Sequence, residues 1–189
     1  MKKEWNEITV SLRMTKDEAV RQLSKMGYVH ECTYQIHDYY YILQTADLNR
    51  TDLELLNEMV LIRVFDDEVK LTVKHKEYAP DGAILAQSNT DLPVGSYEQA
   101  NAFLKALGYK KVMEIRDEAC IMKKDGLGFV IEDVNEGTWL MLEIEENENY
   151  PKIADLKKKL EESGLLYDDR DYFVKKAQLA LKCRLTNNE

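Results

Sequence analysis

Short turns between strand-like stretches constrain this chain more than any other feature. Asp66-Asp67, Asp81-Gly82, Asp125-Gly126 and Asn135-Glu136-Gly137 each punctuate runs of strand-forming sequence. Such Asp/Asn and Gly connections favour tight hairpins. Strands joined in this way run antiparallel, because a parallel return needs a crossover of about a dozen residues. The first strand is read over 7–13, where Ile8, Val10 and Leu12 alternate with Glu7, Thr9, Ser11 and Arg13, the period of a half-buried strand. Further strands are expected at 34–43, 59–65, 68–76, 83–94, 112–122, 128–133 and 139–146.

Helices are announced by their caps. Thr15-Lys16-Asp17-Glu18 is a capping box, followed by an apolar stripe of Ala19, Leu23 and Met26 and a stop at Gly27. Thr51-Asp52-Leu53-Glu54 repeats the box. Ser96 caps a helix carrying Phe103, Leu104 and Leu107, which ends at Gly108. Pro151 opens a helix through Leu160, and 171–182 reads as a last amphipathic helix with Phe173, Val174, Ala177 and Leu181 inward. Hairpins dominate, so the fold class is α+β: two similar halves that suit an antiparallel eight-stranded β-barrel with flanking helices.

Composition limits the partners. The chain has 189 residues, 44% hydrophobic and 32% charged, which fits one globular domain. The formal net charge of −9 repels a nucleic-acid backbone or an anionic membrane, so neither is the expected partner. A few cations turned into a pocket can still hold a small anion. Cys32, Cys120 and Cys183 are odd in number and have no CxxC spacing, which argues against a disulfide framework or a zinc site. The first residues lack the apolar core of a signal peptide, and no apolar run reaches membrane-spanning length. A cytoplasmic location is the expectation.

Several motifs, in order, resemble the CYTH superfamily of triphosphate tunnel proteins, which includes class IV adenylate cyclases, thiamine triphosphatases and bacterial tripolyphosphatases. They are a charged first strand followed by a helix, Leu61-Ile62-Arg63 before Leu71-Thr72-Val73-Lys74, the strand entering a helix at Asp91-Leu92-Pro93-Val94-Gly95-Ser96, and Glu132-Asp133-Val134 before Glu143-Ile144-Glu145. The resemblance covers about 5–146 as the barrel core, with C-terminal helices at about 151–183, in a single domain spanning 1–189. The segment Asp171-Tyr172-Phe173-Val174-Lys175-Lys176-Ala177 is similar to a branch of such proteins in low-GC Gram-positive bacteria.

The resemblance implies an anion held by cations and a divalent metal held by carboxylates. Its phosphate-binding set maps onto Arg13, Arg63, Lys74 and Arg116, and its metal set onto Glu7, Glu132, Glu143 and Glu145, with Mg²⁺ or Mn²⁺ as cofactor. A triphosphate carries about four negative charges that cations must offset, and hard metals prefer carboxylate oxygens. The family's first-strand E-x-E-x-K is reduced here to Glu7, Thr9 and Ser11, and its R-x-E-x-E strand to Gln87, Asn89 and Asp91, a degenerate site. Its Q-x-D-x-Y matches in part at both Gln35-Ile36-His37 and Asp38-Tyr39-Tyr40, which leaves that strand's register open. Three functions follow: a metal-dependent triphosphate hydrolase, weak because of the lost charges; a non-catalytic protein binding a phosphorylated small molecule; or a class IV adenylate cyclase. A homodimer is compatible with the sequence.

Overall fold

The computed structural model describes residues 6–80 and 82–186. The described residues hold eight strands and five helices: β1 (Glu7–Ser11), α1 (Lys16–Lys25), β2 (Val29–Leu43), α2 (Asp52–Glu58), β3 (Val60–Phe65), β4 (Glu68–Tyr78), β5 (Ile84–Val94), α3 (Tyr97–Ala106), β6 (Tyr109–Lys124), β7 (Leu127–Val134), β8 (Trp139–Glu145), α4 (Ile153–Glu162) and α5 (Lys176–Thr186). The strands form one sheet in the order β1-β8-β7-β6-β2-β3-β4-β5. The fold is α+β, a nearly closed antiparallel barrel of eight strands with flanking helices. The hairpin turns explain the direction of pairing. Asp66 and Asp125 both take positive φ, the left-handed conformation that short polar residues tolerate. Asp81, half of one expected turn, lies outside the described residues.

The chain divides into two compact units. The first contains the residues up to Tyr34, Glu77–Ala86 and Asp117–Val174; the second contains Gln35–Lys76, Gln87–Arg116 and the residues from Lys175 onward.

In the first unit, β1 pairs with β8 and β8 with β7, in registers that place Ile8 opposite Ile144, Val10 opposite Leu142 and Ile131 opposite Leu142. These residues are fully buried with Leu23 of α1 and Leu156 and Leu160 of α4. The period of two along the strands therefore meets the helical stripes on one face, and each such aliphatic side chain contributes about 1.5–3 kcal/mol. The other face of the same strands carries Glu7, Thr9, Ser11, Glu143 and Glu145. The Thr15 capping box forms as read, with Glu18 Oε2 accepting from Thr15 N at 2.8 Å.

In the second unit, β2, β3 and β4 pair in sequence. Tyr41, Ile62, Ala100 and Leu104 form one of its buried clusters, with Tyr39, Val60, Val69 and Leu71 packed against it. On α3, only Leu104 of the expected Phe103, Leu104 and Leu107 faces the sheet, joined by Ala100. Ala100 and Leu104 are buried, whereas Phe103 and Leu107 are 56% and 54% exposed. Ala100 and Leu104 lie four residues apart, on one face of the helix.

The C-terminal segment also departs from the expectation. Residues 171–174 are not helical. They run extended beside β1, where Thr9 N donates to Tyr172 O at 2.9 Å and Val174 N donates to Thr9 O at 3.0 Å. Upstream, Asp168 N donates to Ser11 O at 2.9 Å and Arg13 N to Leu166 O at 2.7 Å. This segment satisfies backbone groups on the side of β1 away from β8, so the helix begins only at Lys176. Helical periodicity in 171–182 could not foresee backbone groups awaiting partners elsewhere in the chain.

Candidate functional site

The polar face of the second unit is built by period-two projection from three paired strands. Asp38 on β2 lies opposite Arg63 on β3, which lies opposite Lys70 on β4. Leu61 lies opposite both Tyr40 and Thr72. Since Tyr39, Tyr41 and Ile62 pack under α3, their neighbours Asp38, Tyr40 and Arg63 project to the opposite face. The open register of β2 is thereby decided: Asp38 shares the face of Arg63, and His37 shares that of Tyr39, on which its ring stacks at 4.0 Å.

Arg63 makes a two-pronged contact with Asp38. Nε donates to Oδ1 at 2.7 Å and Nη2 to Oδ2 at 2.5 Å. The Asp38 side chain is only 5% exposed. Asp91 of β5 accepts from Lys70 Nζ at 2.6 Å and from Thr72 Oγ1 at 2.8 Å. The hydrogen bond from Lys70 is the main reason its carboxyl is held below the usual range. Lys74, two residues beyond Thr72 on the same face, is half-buried. Burial, followed by the charge of Arg63, pushes its ammonium down to about 8; Asp38 opposes this, and Lys76 and Lys176 add to it. Arg63, Lys70 and Lys74 thus share this face with Asp38 and Asp91. Of the expected phosphate-binding residues, the structure brings Arg63 and Lys74 together.

Arg13 and Arg116 stand elsewhere. In the first unit, Arg13 reaches Asp168 at 3.1 Å, with its side chain 56% exposed. Arg116 shares the exposed side of β6 with Glu118, in alternation with buried Ile115, Asp117 and Ala119, and lies 3.9 Å from Glu114. The residues that sequence reasoning did not assign to the anion site are Asp38, Lys70 and Thr72. The spacing Lys70-x-Thr72-x-Lys74-x-Lys76 was a legible signal, because every second residue of a strand shares a face.

The four glutamates lie in the first unit. Glu7 is opposite Glu145, Glu143 is opposite Thr9 and Val130, and Glu132 is opposite Met141 and Ala119. Burial and then the charge of Glu7 raise the Glu145 carboxyl above its ordinary value. Glu132 is buried. Among the described residues, no three His, Cys, Asp or Glu side chains gather as a metal-holding group. The register contributes to this, because it sets Glu143 opposite Thr9 rather than opposite a second carboxylate. These side chains therefore do not form a resident metal cage by themselves.

Comparisons with known proteins agree with this architecture. No protein-family model matches the chain. The PH1819 protein of Pyrococcus horikoshii superposes with a TM-score of 0.66 and 19% identity, over 96% of this chain and all (100%) of that one. HpAC1 of Hippeastrum, a "putative adenylyl cyclase" whose structure is described as revealing a dominant triphosphatase activity, superposes with a TM-score of 0.66 and 15% identity, over 95% of this chain and 96% of that one. The chain has a CYTH-type fold. In sequence it is 28% identical over 174 residues to the "putative adenylate cyclase MJ0240" of Methanocaldococcus jannaschii, covering 88% of this chain and 92% of that one. The neighbours of this CYTH-type chain thus carry the names of adenylate cyclases and of a triphosphatase. No helix among the described residues is long and apolar enough to cross a membrane.

Proposed function

We propose that the protein binds a phosphorylated small molecule, with triphosphates among the candidates, on the cationic face of Arg63, Lys70 and Lys74. The observation that carries this reading is Lys74. Arg63 and Lys70 each have a carboxylate partner, whereas Lys74 is a partly buried ammonium that gives up its proton readily beside Arg63, Lys76 and Lys176. Gathering like charges away from water costs free energy. An anion bound there would offset that cost, and phosphate oxygens match both the guanidinium fork and the ammonium point charge.

A second reading is hydrolysis of an inorganic or organic triphosphate. It is supported by the activity described for the Hippeastrum neighbour. The divalent ion then counts as part of the substrate, a metal–triphosphate complex. Phosphoryl transfer depends mainly on positioning and electrostatic stabilisation, so no protein nucleophile is required. In this reading Arg63 orients phosphate oxygens and Lys74 offsets their charge. The name of the archaeal relative adds adenylate cyclase activity as a third product to be assayed.

The test is calorimetric titration with orthophosphate, tripolyphosphate and ATP, with Mg²⁺ and with EDTA, together with assays of released phosphate and cyclic AMP. Saturable binding that Lys74→Met weakens by about tenfold or more supports the first reading. Phosphate release that disappears in Arg63→Ala supports the second. If none of the three anions binds, both are wrong.

A further inference from the structure

We propose that Asp38 is a positioning residue for the anion: it fixes the plane of Arg63, so that the guanidinium edge it leaves open meets a phosphoryl group beside Lys74. The inference rests on the anion-binding reading above and adds to it the residue that aims the fork.

The geometry is specific. Asp38 and Arg63 are directly opposed in the β2–β3 register. Their two contacts use Nε and Nη2, and two parallel hydrogen bonds determine the orientation of a planar group in a way that one cannot. Nη1 donates to no acceptor among the described residues, although the Arg63 side chain is only 21% exposed. The guanidinium is thus held rigidly by one edge with the other edge available.

Stability alone is a poor explanation for the pair. Apolar residues of similar volume often replace a buried ion pair without loss of stability. The opposite faces of the same two strands use that solution, with Tyr39 opposite Ile62. Asp38 has a second effect. The groups acting on Lys74 are Arg63 from β3, Lys76 from its own strand, Lys176 from α5 and Asp38 from β2, and Asp38 is the only one of the four that favours the ammonium form. One carboxylate therefore orients one phosphate-binding cation and keeps its neighbour charged. Asp91 makes comparable contacts with Lys70 and Thr72, but its side chain is 40% exposed, which leaves Asp38 as the buried anchor.

The experiment is titration calorimetry with orthophosphate and tripolyphosphate between pH 6 and 9, on wild type, Lys74→Met, Arg63→Lys and Asp38→Asn, with folding checked by circular dichroism. Arg63→Lys keeps the charge and loses the fork, and its affinity is expected to fall by about tenfold or more. Asp38→Asn is expected to move the pH at which anion affinity is lost to lower values, because Lys74 loses its supporting charge; a merely structural residue would leave that pH unchanged. Wild-type affinity in Arg63→Lys, or an unshifted pH profile in folded Asp38→Asn, overturns the proposal. If Asp38→Asn does not fold, Arg63→Lys decides alone. Binding that is lost in Lys74→Met but intact in Arg63→Lys leaves the anion site standing and removes the role of Asp38. Binding of neither anion to wild type removes the anion reading, and this inference with it.

Discussion

Replacing Lys74 by methionine should stabilise the protein and damage its function at the same time. The ordinary lysine value of 10.5 falls to about 8 in the folded chain. Below pH 8 both folded and unfolded states hold the proton, and the penalty for the charged ammonium is at its full value. Between pH 8 and 10.5 the folded state has released its proton while the unfolded state retains it, so stability rises with pH across that window. Above 10.5 the penalty is gone. At about 1.4 kcal/mol per pH unit, the penalty at pH 7 is at most about 3.5 kcal/mol. Methionine has a similar length and no charge, so Lys74→Met should recover much of this. For a chain of this size each kcal/mol is worth about 2–4 °C in Tm, which predicts a rise of roughly 5–10 °C at pH 7. Urea denaturation of both proteins at pH 7 and pH 10 measures the effect, and the gap should shrink strongly at the higher pH. Calorimetry at pH 7 should show tripolyphosphate affinity reduced about tenfold or more, the scale of a lost charge-assisted hydrogen bond. A variant less stable than wild type at pH 7, or a gap independent of pH, would refute the idea that Lys74 is held against its own charge.

Three further outcomes test the placement of other residues. Thr9→Glu puts a carboxylate opposite Glu143; like charges in that position cost about 0.2–1 kcal/mol, so thermal shift should show a lower Tm in EDTA and recovery in Mg²⁺ as the added carboxylate creates a metal site. Arg13→Ala and Arg116→Ala remove exposed side chains, and each should leave tripolyphosphate affinity within about twofold and stability within about 1 kcal/mol. On α3, Leu104→Ala should cost about 2–5 kcal/mol in urea denaturation, whereas Phe103→Ala should stay within about 0.5 kcal/mol, because the first is 3% and the second 56% exposed.

Much of the fold was legible because its signals are local. A hydroxyl three residues before a carboxylate caps a helix whatever surrounds it, and the boxes at Thr15 and Thr51 both form. Turn residues such as Asp125 and Gly126 bring positive φ and thereby determine antiparallel pairing. Alternation assigned Ile8 and Val10 to the core and Glu7 and Thr9 to the opposite face, since a strand can present its residues in no other way. The same rule put Arg63 and Lys74 on polar faces, though it could not say that the faces were shared.

Tertiary structure decided what depends on pairing between distant segments. Two partial motif matches, Gln35-Ile36-His37 and Asp38-Tyr39-Tyr40, were open in sequence, and only the β2–β3 register set Asp38 against Arg63. Residues 171–174 had helical periodicity, but backbone groups of β1 claimed them, since an N–H or C=O withdrawn from water needs a partner wherever one can be found. On α3, the sequence marked an apolar stripe, and packing against the sheet buried Leu104 with Ala100 and left Phe103 and Leu107 exposed. The sequence by itself determined which residues could carry charge on a strand face. Register, a property of two strands at once, decided which of those charges meet.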